Sequence, residues 1–165
     1  MGRKVILLNK TDRSLRGAVF FCLFSVGLDK CLFHKYYYCA MDDMVTKNFS
    51  RSEFACQCGC GADQVTDELA IKLQLLRDLL GKPIKITSGV RCLGHNIDIG
   101  GSKNSSHIPK DDGKGRAVDI ACDNSPFRKN VICCATEYFN RIGIHKKFIH
   151  LDTDEYKSPD VIWVY

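Results

Sequence analysis

Leu69, Leu73, Leu76 and Leu80 recur at i, i+4, i+7 and i+11, the spacing that lines one face of an amphipathic helix. Thr66 can cap that helix, and Gly81-Lys82-Pro83 stops it. The apolar face needs a surface to lie on. The β-branched run "IKITS" at 84–88 supplies a strand that ends at Gly89 and opens into the loop-rich "VRCLGHNIDIGGSKNSSH". Further on, "RAVDIAC" alternates as a strand does, and Ser125-Pro126 forms a cap and first-turn pair for a helix reaching about Arg141, with Gly143 as its end. Two more strands, "KFIHLD" at 147–152 and "VIWVY" at 161–165, are joined by the polar turn "TDEYKSPD". Helices and strands that mix without a βαβ rhythm predict an α+β domain, a small antiparallel sheet flanked by helices.

Length changes this picture at the N-terminus. A chain of 165 residues buries one core and is short for two. The orderly pattern begins at Met44 with "MVTKNFSRSEFACQCGCG", so residues 44–165 read as the domain and 1–43 as an extension outside it, from a start called too early or a weak signal-like segment. Its apolar stretch "GAVFFCLFSVGL" is shorter than the ~20 residues of a membrane-spanning helix. Arg13 and Arg16 precede it as in a secretory signal, but Asp29 and Lys30 follow and no small-x-small cleavage site is present. No stable membrane insertion is expected.

The net charge of +5 comes from basic residues interspersed with acidic ones, without the runs that mark nucleic-acid arms, so no nucleic-acid partner is expected. Ten cysteines fall below the density of a disulfide-stapled scaffold. Cys122, Cys133 and Cys134 sit in predicted strand and helix as small hydrophobes, which favours reduced thiols. The cluster "CQCGC", Cys56, Cys58 and Cys60, invites a structural-metal reading. Its C-x-C-x-C spacing lacks the separated C-x-x-C pairs of a zinc ribbon, so it is read as a tight turn with semi-buried thiols.

The candidate chemistry lies around a glycine-rich, charged loop. His107 precedes it, Asp119 follows it, and His150 lies in the strand "FIHLD". With Asp119 and His150 pointing from strands to one face and His107 at the end of the preceding loop, two imidazoles and a carboxylate offer three zinc ligands and leave a fourth corner open. Spacing alone leaves the structural readings standing, a hydrogen-bonded strand histidine and an aspartate cap.

The motifs "SSH", "GRAVD" and "FIHLD" together resemble the zinc-dependent D-Ala-D-Ala carboxypeptidase and murein endopeptidase family, with its signature S-x-H-x-x-G-x-A-x-D and a distant strand histidine. The signature falls on Ser105, His107, Gly115, Ala117, Asp119 and His150. The likeness runs over roughly residues 46 to 165 through "NFSRSEFACQCGCG", "ITSGVRC", "HNIDIGGSKNSSH", "RAVDI", "FNRIGI" and "FIHLD"; several blocks in order are more specific than one motif. The resemblance implies a hedgehog-like α+β fold and one Zn2+ ion held by His107, Asp119 and His150. It also implies a monomer that cleaves an amide bond in peptidoglycan peptides. Such a protein is expected in the cytoplasm until release to the wall, as in a phage lysin, or in the periplasm or outside the cell if the N-terminal segment is a signal.

Arg91 matches an arginine that faces substrate in relatives and there holds a carboxylate or the oxyanion. Asp152, two residues after His150, projects to the same strand face and is the first candidate for base or ligand-orienting group, with His145 and His95 next. Ser105 and His95 are expected on the substrate side. Two departures stand out. The interval from His107 to Asp119 exceeds the signature by five residues, and Lys147 stands where some relatives carry the acidic general base. The rival readings are a non-catalytic wall-binding module that keeps the fold, and a cysteine-rich interaction protein with zinc at Cys56, Cys58 and Cys60.

Overall fold

The computed structural model describes residues 43–165; the expected extension therefore lies, apart from Asp43, outside the described residues. A short hairpin of β1 (Met44–Thr46) and β2 (Phe49–Ser50) leads through α1 (Arg51–Phe54) and a cysteine-containing loop to the long helix α2 (Asp67–Leu80). The predicted cap is present: the Thr66 side chain accepts a hydrogen bond from Leu69 N at 3.3 Å. Thr66→Ala is expected to cost about 1 kcal/mol, read as a lower urea midpoint with an unchanged slope. Leu69, Leu73 and Leu76 are fully buried on the face the periodicity assigned. Gln74, also buried, ties the hairpin to α2 by accepting from Thr46 Oγ1 and Asn48 N and donating to Asn48 Oδ1.

The remaining elements are β3 (Ile86–Ser88), α3 (Leu93–Asp98), β4 (Ala117–Ala121), α4 (Ser125–Ala135), β5 (Arg141–Ile144), β6 (Phe148–Asp152) and β7 (Val161–Val164). Strands β3 to β7 form one sheet in the order β3-β4-β6-β5-β7. All neighbouring pairs are antiparallel except β5 and β7, which run parallel. The mixed α+β class is as expected, and the fully antiparallel sheet is corrected by that one edge. On one face Val118, Ile120, Ile142, Ile149 and Leu151 join the core formed with α2 and with Val131 and Ala135 of α4. No described helix is long and apolar enough to cross a membrane.

Three local expectations change. Helix α4 ends at Ala135, not near Arg141, and its cap is Asn124, whose side chain accepts from Phe127 N at 2.9 Å while Ser125-Pro126 forms the first turn. Gly143 is not a helix stop but the middle of β5. A Cβ there would lie 2.8 Å from the rings of Trp163 and Tyr165, so glycine is what lets two edge aromatics lie across the strand. The span after β3, expected as loop, contains α3, a helix too short to show a period.

Candidate active site

The sheet's second face carries the polar residues. Asp119 on β4 and His150 on β6 are direct cross-strand partners, and the same row continues through Gly143 to Trp163. Alternation along a strand therefore sends Asp119 and His150 to one side, away from the core. His107 reaches this face from the loop after α3, with its backbone carbonyl accepting from Arg91 N at 2.9 Å. The five extra residues before Asp119 close on themselves. Gly113 takes a left-handed conformation (φ 72°), Asp112 pairs with Arg116 at 2.9 Å, and Arg116 N returns to Ser106 O. The insertion is absorbed without displacing His107 from Asp119.

Three donor atoms converge. His107 Nε2 lies 3.1 Å from His150 Nδ1 and 3.3 Å from Asp119 Oδ1, and His150 Nδ1 lies 2.8 Å from Asp119 Oδ1. Donors bonded to zinc at about 2.0–2.1 Å stand about 3.3 Å apart at tetrahedral angles, so the three atoms outline one face of such a shell. The outer nitrogens are held as well. His107 Nδ1 donates to Gly89 O at 2.6 Å, and His150 Nε2 donates to Asp152 Oδ2 at 3.1 Å. These bonds fix the tautomers and aim both remaining lone pairs inward, toward a carboxylate oxygen. Three acceptors facing one another call for a cation, and this donor set fits zinc.

Burial pushes the His107 pKa down, which keeps its imidazole neutral and able to ligate. Burial also opposes charge on His150, but the flanking carboxylates of Asp119 and Asp152 outweigh it and raise its pKa, so that without an ion a proton is favoured on Nδ1 where a cation would otherwise sit. Asp119 is buried too, yet the two imidazoles hold its carboxyl well below the usual range, so it stays anionic. Asp119 Oδ2 accepts from Arg91 Nη2 at 3.0 Å, and Arg91 Nη1 reaches Asn96 Oδ1 at 3.4 Å. Arg91 is therefore neither on the surface nor unattached; it steadies a ligand from the cavity wall.

The triad opens on a cavity of about 620 Å3 whose lining includes Arg91, His95, Ser105, Asp152, Trp163 and Tyr165. Asp152 is engaged with His150 (3.1 Å), Arg141 (2.7 Å from Nε) and Ser106 (3.3 Å), contacts that fix the orientation of the His150 ring. His145 is not brought to the triad. It sits at the tip of the β5–β6 hairpin, its ring 4.4 Å from that of Phe148. Ser105 accepts from His107 N through its hydroxyl at 3.3 Å. Lys147 is exposed at the hairpin tip. Ser106, Arg141 and Asp154 were not singled out in the sequence. Ser106 Oγ donates to Asp154 Oδ2 at 3.0 Å beneath Asp152, a buried relay assembled from segments nearly 50 residues apart.

No curated protein matches the chain. A family model described as Peptidase M15 matches residues 47–152, more than half of the sequence and the whole stretch that carries the three converging donors. The chain belongs to the peptidase M15 family, as a zinc metallopeptidase whose metal-binding triad is His107, Asp119 and His150.

Proposed function

We propose that this enzyme hydrolyses an amide bond in the stem peptides or cross-links of peptidoglycan. The observation that carries the reading is a three-donor triad whose open corner faces a cavity large enough for a short peptide. Arg91, Arg141 and Lys157 lie along that cavity and favour a substrate bearing carboxylates, while Phe148, Trp163 and Tyr165 offer flat apolar surface.

When bound, zinc lowers the pKa of a water to about 7 and polarises the scissile carbonyl. The chain supplies the remainder. Asp152 holds the outer N–H of His150 and so keeps Nδ1 directed at the ion. Arg91 anchors Asp119, and its loosely paired Nη1 is the guanidinium donor available to a substrate carboxylate or developing oxyanion. His95 lines the cavity, and its ring makes no hydrogen bond or ion pair with the described residues. Its unpaired ring on the cavity supports assigning it, of the three acid/base candidates, the role of taking a proton from water and returning it to the leaving amine.

Zinc-loaded full-length protein incubated with purified peptidoglycan is expected to release new amino groups, and mass spectrometry of the products identifies the bond. Protein that binds wall material yet releases none would replace hydrolysis with a binding role. Asp152→Asn keeps an acceptor for His150 but loses the charge and the Arg141 pair. Zinc affinity is expected to fall about 10- to 100-fold, measured by competition with a chromophoric chelator.

A further inference from the structure

A second cluster of ligating atoms lies behind the cavity wall. The sulfurs of Cys56, Cys58, Cys60 and Cys92 all lie within 4.8 Å of one another, with Cys56 Sγ 3.3 Å from Cys58 Sγ and Cys58 Sγ 3.6 Å from Cys92 Sγ. Four thiolates bonded to zinc at about 2.3 Å stand about 3.8 Å apart in a tetrahedron, so the observed spacing matches such a shell. None of the four is in a disulfide. The sequence pattern C-x-C-x-C offered three ligands on one turn and no second pair; the fold supplies the fourth from the residue that follows Arg91.

The backbone is shaped for this convergence. Gly59 (φ 77°) and Gly61 (φ 82°) both take left-handed conformations, which cost an L side chain and let the chain curl so that alternate cysteines face one centre. Cys56 N donates to Ala62 O at 2.7 Å and closes the loop. Backbone donors also point at the sulfurs: Cys92 N at Cys56 Sγ and His95 N at Cys92 Sγ, each at 3.4 Å. Such N–H groups stabilise negative charge on sulfur.

We propose that Cys56, Cys58, Cys60 and Cys92 form a second zinc site, a closed four-thiolate centre that is structural rather than catalytic. Four protein ligands leave no corner for water or substrate. On binding, the thiols give up their protons to solvent as four Zn–S bonds form. The centre clasps the loop after α1 to the start of α3. Cys92 lies between Arg91, which holds Asp119, and the helix that bears His95, while Gln57 on the clasped loop lines the cavity. The site therefore fixes the wall from which Arg91 and His95 act.

The test counts zinc in the full-length protein purified with zinc under reducing conditions. Wild type is expected to carry two ions per chain, and His107→Ala one. The variant with both Cys58→Ser and Cys60→Ser is expected to carry one, because these exposed sulfurs supply half the shell. Because that variant could misfold, wild type is also titrated with an organomercurial, which should release one of the two ions as the thiols react. Cobalt-substituted wild type should show thiolate-to-cobalt charge-transfer absorption, which a site of two histidines and an aspartate cannot produce. One ion per chain that is lost in His107→Ala and untouched by the mercurial would overturn the proposal, as would peptide mapping that finds the four cysteines joined as disulfides. One ion per chain that survives in His107→Ala and is released by the mercurial would instead strike at the catalytic triad, so the two failures are distinguishable.

Discussion

Alanine in place of His107, Asp119 or His150 is expected to reduce hydrolysis by roughly a thousandfold or more, equivalent to about 4 kcal/mol of lost barrier lowering, and to remove the catalytic ion. Each variant leaves two donors where three converge within 2.8–3.3 Å. The three should not be equal in stability. Asp119→Ala also strands the largely buried Arg91 guanidinium, whose Nη2 bonds Asp119 at 3.0 Å; breaking a buried pair from one side costs about 3–5 kcal/mol. His107→Ala strands the Gly89 carbonyl but leaves no buried charge without a partner, a penalty of about 1–3 kcal/mol. Metal analysis, peptidoglycan turnover and urea unfolding read the three effects separately. An Asp119→Ala protein as stable as His107→Ala would contradict the role given to Arg91.

Gly89→Ala is expected to destabilise the protein by about 3 kcal/mol or more and to weaken zinc binding at a site the residue does not ligate. A Cβ at Gly89 would lie 2.5 Å from Phe54 O and 2.6 Å from Phe54 Cα. These are backbone atoms of a fully buried residue, so no side-chain rotation relieves the clash. Two bonds meet there: Val90 N donates to Phe54 O at 2.8 Å, and Gly89 O accepts from His107 Nδ1 at 2.6 Å. Moving the strand end away from Phe54 moves the carbonyl that fixes the His107 tautomer, which should lower zinc affinity about tenfold or more. Denaturant unfolding and chelator competition check the pair; a variant within about 0.5 kcal/mol of wild type with unchanged affinity would refute the coupling.

What was legible in the sequence was what local pattern controls. The leucine period placed α2 with its Thr66 cap, and alternation in "RAVDIAC" and "KFIHLD" placed Asp119 and His150 on strands. That those strands are neighbours with Asp119 opposite His150 is a long-range pairing that no local pattern carries. Strand β5 was hidden because Gly143 reads as a helix stop, whereas its real cause is the ring of Trp163 on another strand. The same limit hid Ser106 and Arg141, which matter through contacts with Asp152, and Cys92, which meets the other three cysteines only in the folded chain. The sequence ranked His145 ahead of His95 as an acid/base candidate, but His145 sits at a hairpin tip with its ring against Phe148, whereas His95 lines the cavity.

The most direct test is a crystal structure of the zinc-loaded protein with anomalous scattering recorded at the zinc edge. The prediction is a peak about 2.0–2.2 Å from His107 Nε2, His150 Nδ1 and Asp119 Oδ1 together, with its fourth side toward the cavity. A fully loaded crystal with no peak among those three atoms, or with the imidazoles turned to ligate through the nitrogens that face Gly89 and Asp152, would contradict it.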